Sequence, residues 1–210
     1  MSAFRPAPLR GFDTSAATHP RLTAAYLLPM LLVGLYAIAP DLQIEIATDN
    51  SVLDLLLREA DTAVRHVRPE QSNLIAKMLS EDQMRFYAVG EYLDAFGSPK
   101  LSANVSSHQF VSFGDFKRVA GYLKLVGLHL GRRNFRYASN SKLVEWEIAR
   151  NDQAIAIMSD RIASRFPEFQ PVLMEVELFS LPVWLVVDRK LRPCRRVRLV
   201  FDVLAKEMSA

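Results

Sequence analysis

The chain has 210 residues, 50% of them hydrophobic and 23% charged, with a formal net charge of +3. That length supports one sizeable domain or two small lobes, and that apolar content excludes a disordered chain. One cysteine, Cys194, excludes an internal disulfide framework and a thiolate-built metal site, while the slight, scattered positive charge does not by itself point to nucleic acid.

Residues 1–9 read as a lead-in without the continuous apolar core of a secretory signal, so a cytoplasmic location is expected. A short strand is expected near Phe12–Thr18, and His19-Pro20 turns the chain. Leu22–Pro40 then runs for 19 residues without a charge, near the minimum for a membrane span. Pro29 suits the first turn of a helix better than the middle of one, so the segment reads as a buried helix ending near Ala39, with no membrane partner. Leu42, Ile44 and Ile46 alternate with polar residues, which predicts a strand. Ser51 is a fair N-cap for a short helix, Val52–Arg58, and Asp61–Val67 is the next strand.

Strands are expected at Leu74–Leu79 and Met84–Val89, then a helical turn at Glu91–Phe96 ended by Gly97-Ser98-Pro99. Next come a strand at Gln109–Phe113, a helix at Phe116–Val126 stopping at Gly127, a strand at Phe135–Ala138 and a helix at Ser141–Arg150. A buried strand at Ala154–Ile157, a short helix at Arg161–Phe166, strands at Val172–Leu178 and Val183–Val187, and a final helix at Arg195–Met208 complete the chain. The early alternation of strand and helix is the pattern of an α/β protein with a parallel sheet and crossover helices.

No catalytic constellation stands out. His19, His66, His108 and His129 are scattered without metal-ligand spacing, and no nucleophile elbow, P-loop or dinucleotide fingerprint is present. No catalytic residue, metal or cofactor is therefore assigned. A binding cleft is better supported. Open α/β sheets bind small molecules outside the carboxyl ends of their strands. Those ends carry Thr18 and His19; Thr48, Asn50 and Ser51; His66 and Arg68; Ser112 and Phe113; and Ser139 and Asn140. The hydroxyls and amides offer neutral hydrogen bonds, and Arg68 can pair a carboxylate bidentately. Ser51 and Ser139 fit equally well as caps, and Arg68 as a solvated turn residue. The arginine-rich Arg189–Arg198 stretch reads as the solvated side of the last helix, whose apolar side is Val197, Val200, Phe201 and Leu204.

Four stretches carry a resemblance. They are Leu28-Pro29 on the apolar helix, Pro40-Asp-Leu-Gln-Ile-Glu-Ile46, Asp54-Leu-Leu-Leu-Arg-Glu-Ala-Asp-Thr-Ala-Val-Arg65, and the late Pro182-Val-Trp-Leu-Val-Val187. In this order they resemble the effector-binding domain of LysR-type transcriptional regulators, over roughly Phe12 to Ala205. The resemblance implies two Rossmann-like lobes joined by two crossing strands, the type 2 periplasmic-binding-protein arrangement. Lobe I would be 10–88 plus 183–210, and lobe II 89–182. It implies a ligand-sensing and dimerisation domain that binds a small metabolite between the lobes to control transcription.

The resemblance also implies a homodimer, within a tetramer in full-length regulators. The helix after Pro29 bears on this. Leu28, Leu31, Leu32, Leu35 and Ile38 form a stripe expected to face the sheet, yet Met30, Val33, Gly34, Tyr36 and Ala37 outside that stripe carry no charge either. In the family this helix pairs antiparallel with a lobe II helix of a second subunit, here Ser141–Arg150 with Leu143, Val144 and Trp146. No winged helix-turn-helix precedes Met1, so specific operator DNA binding is not expected of the chain as given. The chain departs from the family at His19-Pro20, where a small–serine pair is usual, and at Asp152, where a glycine is usual at a helix end. A solute-binding protein and an unrecognised cytoplasmic enzyme are the competing readings.

Overall fold

The computed structural model describes residues 20–48 and 61–208. The uncharged N-terminal stretch forms two helices rather than one, α1 (Pro20–Tyr26) and α2 (Leu28–Ile38). Leu27 sits between them, and Pro29 lies in the first turn of α2, where its missing N–H leaves no hydrogen bond unmade. Among the described residues no helix is long and apolar enough to cross a membrane.

The segment 41–48 is irregular. Its alternation does not produce a strand: Ile44 and Ile46 are 41% and 43% exposed, and among the described residues no ladder partner buries one face of the segment. The expected strand at Phe12–Thr18 and helix at Val52–Arg58 lie outside the described residues.

β1 (Thr62–Arg65) follows, then β2 (Leu74–Val89), a single 16-residue strand where two were expected. Its ladder to β7 (Ser180–Asp188) continues through the polar Ser80–Gln83 stretch, with a register shift between Met78 and Ser80. The polar residues did not end the strand because their backbone groups stay paired. The irregularity re-aims the chain, as an inserted residue in a strand does, so that side chains on either side of it point into different cores.

The second half of β2 pairs antiparallel with β5 (Ala156–Ser159) and β6 (Phe169–Val172). Between β2 and β5 lie α3 (Gly90–Phe96), β3 (Val111–Phe113), α4 (Phe116–Leu125), β4 (Tyr137–Ser139) and α5 (Lys142–Arg150). β3 and β4 pair in parallel, and a parallel bridge from Phe110 to Ile155 joins them to the β5 edge. α6 (Asp160–Ala163) is shorter than the expected helix and is capped by the Ser159 hydroxyl. The expected strand Val172–Leu178 is replaced by β6, which ends at Val172. Leu173 takes a left-handed φ of 52°, and a turn closes from Val176 N–H to the Leu173 carbonyl. α7 (Arg195–Met208) ends the described chain.

This gives two sheet-based bodies sharing two strands. Among the described residues the first has the strand order β1-β7-β2 with antiparallel ladders, so β1 does not enter the parallel pairing expected of it there. Its core joins Leu79, Val183, Leu185 and Val187 to Val197, Phe201 and Leu204 of α7, with Leu28 and Leu31 of α2 packed against them. The arginines of α7 lie on the opposite, exposed side, as its amphipathic pattern requires. The second body has a larger core in which Trp146 stacks on Phe169 at 3.8 Å. α1 leans on this second body. Leu22 is fully buried in its core, Tyr26 packs edge-on to Phe166 at 4.9 Å, and the Tyr26 hydroxyl donates to Glu147 at 3.0 Å.

Candidate functional site

β1 delivers His66, Val67 and Arg68 at its carboxyl end. His66 is 6% exposed, and its Nδ1 lies 3.2 Å from the Pro182 carbonyl. A carbonyl only accepts, so Nδ1 carries the proton. Burial pushes the imidazole pKa down, with the Pro182 bond and nearby Asp82 opposing. His66 is thus a neutral ring tying β1 to the start of β7, not an open side chain. Arg68 is exposed, with its guanidinium 5.5 Å from the Trp184 ring. At that distance the ring face attracts the cation, and the guanidinium N–H groups are the donors that can meet a carboxylate. Thr48 is exposed at the end of the irregular segment. Thr18, His19, Asn50 and Ser51 lie outside the described residues.

In the second lobe the ends of β3 and β4 come together through a hydrogen bond from Gly114 N–H to the Ser139 carbonyl, 2.8 Å. Two hydroxyls expected to face a ligand are used locally. Ser112 is fully buried and its Oγ donates to the Gly114 carbonyl at 3.3 Å. Ser139 Oγ accepts from Ser141 N–H at 3.0 Å, closing the turn into α5. Phe113 is half-buried, and Asn140 is exposed just past the end of β4.

Two groups here escaped the sequence reading. Lys142, in the first turn of α5, sets its ammonium 5.2 Å over the Phe113 ring and 2.7 Å from Glu145. Glu145 is 1% exposed, and burial pushes its carboxyl pKa up while Lys142 opposes. A lysine against the positive end of a helix dipole is the one sequence signal that could have flagged the pair. The second group sits where the lobes meet. Asp82 on β2 accepts from Ser80 Oγ at 2.9 Å and lies 3.3 Å from Arg161 Nε, while Arg161 Nη1 donates to the Met208 carbonyl at 2.8 Å. One guanidinium of α6 thus holds both a crossing strand and the last turn of α7. The pairing spans residues 82, 161 and 208, too distant in sequence to read.

On α2, Met30 and Val33 are 54% and 70% exposed, and Gly34 and Ala37 are exposed with them. Leu35 is buried, but Ile38 is exposed, so the inward stripe is shorter than expected and ends before the last residue of the helix. On α5, Val144 is exposed and Leu143 half-buried. Trp146 is fully buried, so its ring belongs to the second lobe's core and is no surface anchor. Its position on the inward face of α5, three residues from buried Ala149, decides this.

The sequence pattern of the LysR substrate binding domain matches residues 18–209. The chain belongs to the LysR substrate binding domain family. This LysR domain is 29% identical over 114 residues to the uncharacterized HTH-type transcriptional regulator YcaN of Escherichia coli strain K12, a match covering 54% of the chain and 37% of that relative. Its fold is similar to the regulatory domain of CrgA, a LysR-type transcriptional regulator from Neisseria meningitidis, with a TM-score of 0.75 at 20% identity over 89% of this chain and 94% of that one. It is also similar to the AmpR effector binding domain from Citrobacter freundii, with a TM-score of 0.70 at 14% identity over 89% of this chain and 94% of that one. The LysR domain therefore has the two-lobe, type 2 periplasmic-binding arrangement, with β2 and β7 as the shared strands.

Proposed function

We propose that this domain senses a small carboxylate held between its lobes and passes the signal through a homodimer to a DNA-reading module. The observation that carries the proposal is the pair of strands, β2 and β7, that serves both lobes. Among the described residues the lobes are joined by β2 and β7, by the α1–α2 connection and by the Arg161–Met208 tie, and a ligand that touches both lobes biases their mutual angle. Arg68 meets the carboxylate from the first lobe, and Asn140 and the Phe113 edge meet the rest of the molecule from the second. Thr18, His19, Thr48, Asn50 and Ser51 are further ligand contacts in the same proposal. The exposed Met30, Val33, Gly34 and Ala37 meet Leu143 and Val144 of a second copy, and the full-length regulator is a tetramer in the cytoplasm. No turnover is proposed.

A thermal-shift screen of small metabolites tests this reading. One or a few small acids should raise the melting temperature, and Arg68→Ala should lose most of that rise. An acid that is consumed would instead favour an enzyme. Equal stabilisation of both proteins would remove Arg68 from the site.

A further inference from the structure

The parallel pairing of β3, β4 and the Phe110–Ile155 bridge gives the second lobe two distinct ends. The carboxyl ends carry the cleft residues. The amino ends carry an open depression of about 740 Å³, lined in part by Phe96, Gln109, Arg132, Arg133, Arg136 and Asp152. We infer that this depression is a second ligand site, for a phosphorylated sugar or polyol, independent of the cleft.

The backbone that carries Arg132 and Arg133 is held in place before any ligand arrives. Asn134 is 1% exposed, its Nδ2 donates to the carbonyls of Ser106 and His108 at 2.9 Å each, and its Oδ1 accepts from Gly131 N–H at 3.0 Å. Gln109 Nε2 donates to the Arg133 carbonyl at 3.1 Å. A short 3-10 turn, Arg132–Asn134, is thereby locked to the strand entering β3. Such anchoring removes the ordering cost that a mobile basic loop would lose on binding.

The guanidinium groups themselves are unspent. Arg132 lies over the Phe116 ring and Arg136 over Tyr137, and among the described residues none of the three pairs with a carboxylate or donates a hydrogen bond. Cations often collect near helix C-termini to satisfy the last carbonyls, but these arginines make no such bond. Clustered positive charge with free forked donors is the chemistry that recognises a phosphate.

Two further features go beyond an anion. Gln109 lines the depression, and its Oε1 is buried without a partner among the described residues. It is an acceptor, so it calls for a ligand donor, and a hydroxyl supplies one. Asp152, held with φ at 59°, adds a second acceptor on the rim, and Phe96, 62% exposed, offers a flat apolar face for the C–H side of a sugar ring. A bare phosphate satisfies the arginines and leaves these groups unused. A duplex backbone does not enter a concave site to reach Gln109.

Calorimetric titration of the chain with glycerol phosphate, ribose phosphate and glucose monophosphate tests the inference. Inorganic phosphate and the unphosphorylated compounds run alongside at matched ionic strength. At least one phosphate ester should bind saturably, about tenfold or more tighter than inorganic phosphate, and the unphosphorylated compounds should not bind measurably. Arg133→Gln, which removes a side chain stacked on no ring, should weaken the ester by about tenfold, and Asp152→Asn should narrow its margin over phosphate. Equal binding of ester and phosphate, no saturable ester binding, or affinity unchanged in Arg133→Gln would overturn the site. Loss in Arg68→Ala with none in Arg133→Gln would move the binding to the cleft and overturn it equally, while leaving the cleft reading intact.

Discussion

Asp152 shows how one residue departs from a family pattern without losing the fold. The helix before it ends at Arg150, and the chain then needs a left-handed residue to turn toward β5. Asp adopts that conformation at a cost that Gly avoids. Asp152→Gly should therefore stabilise the chain by about 1 kcal/mol in chemical denaturation, and unchanged or lower stability would mean the aspartate carboxylate stabilises the turn. Buried His66 sets a pH dependence. Its folded pKa is depressed below 6.5, so the fold prefers the neutral ring. That contribution is complete above pH 6.5 and is lost as the pH falls through 6.5 toward the folded value. His108, also pushed down by burial, acts in the same direction. The denaturation midpoint should fall over that interval, and less steeply in His66→Asn, which keeps a donor for the Pro182 carbonyl. A flat profile in the parent chain would contradict a buried neutral imidazole.

Helices α2 and α5 separate two roles that look alike in sequence. Trp146 is an aromatic on an amphipathic helix, and the same signal serves a core or an interface. Its stack on Phe169 and edge contact with Phe166 place it in the core. Trp146→Ala should therefore cost about 3–5 kcal/mol of folding stability, whatever it does to association. Val33, 70% exposed, is the opposite case. Val33→Glu should leave the melting temperature nearly unchanged, as exposed substitutions usually do, while lowering the sedimentation coefficient of any dimer. A variant that sediments like the parent would remove α2 from the interface. The two substitutions together distinguish packing from docking, which apolar periodicity alone does not.

At the scale of the molecule, much was legible because apolar residues follow a period. α4, α5, α7 and β7 lie within a few residues of their expected bounds. What was not legible depended on pairing. Nothing local to Leu42–Ile46 says that a ladder partner is needed, nothing local to Ser80–Gln83 says that polar residues stay in a strand because β7 lies beside them, and Leu173 gives no sign of its left-handed turn. The cleft was legible as a set of strand ends but not in its details. The Ser112 and Ser139 hydroxyls turn inward to backbone groups, and the Asp82–Arg161–Met208 tie joins distant parts of the chain. The Arg132–Arg136 depression was missed because its members come from the end of α3, the approach to β3, the 132–136 stretch and the turn after α5, which only the fold gathers.

Hydrogen exchange of the chain with and without an acid found to stabilise it tests the two-lobe sensor most directly. Binding between lobes predicts slowed exchange at both Arg65–Arg68 and Phe113–Lys142, with a change along the shared strand near Ser80–Gln83. Protection confined to one lobe, with the shared strand unaffected, would contradict it.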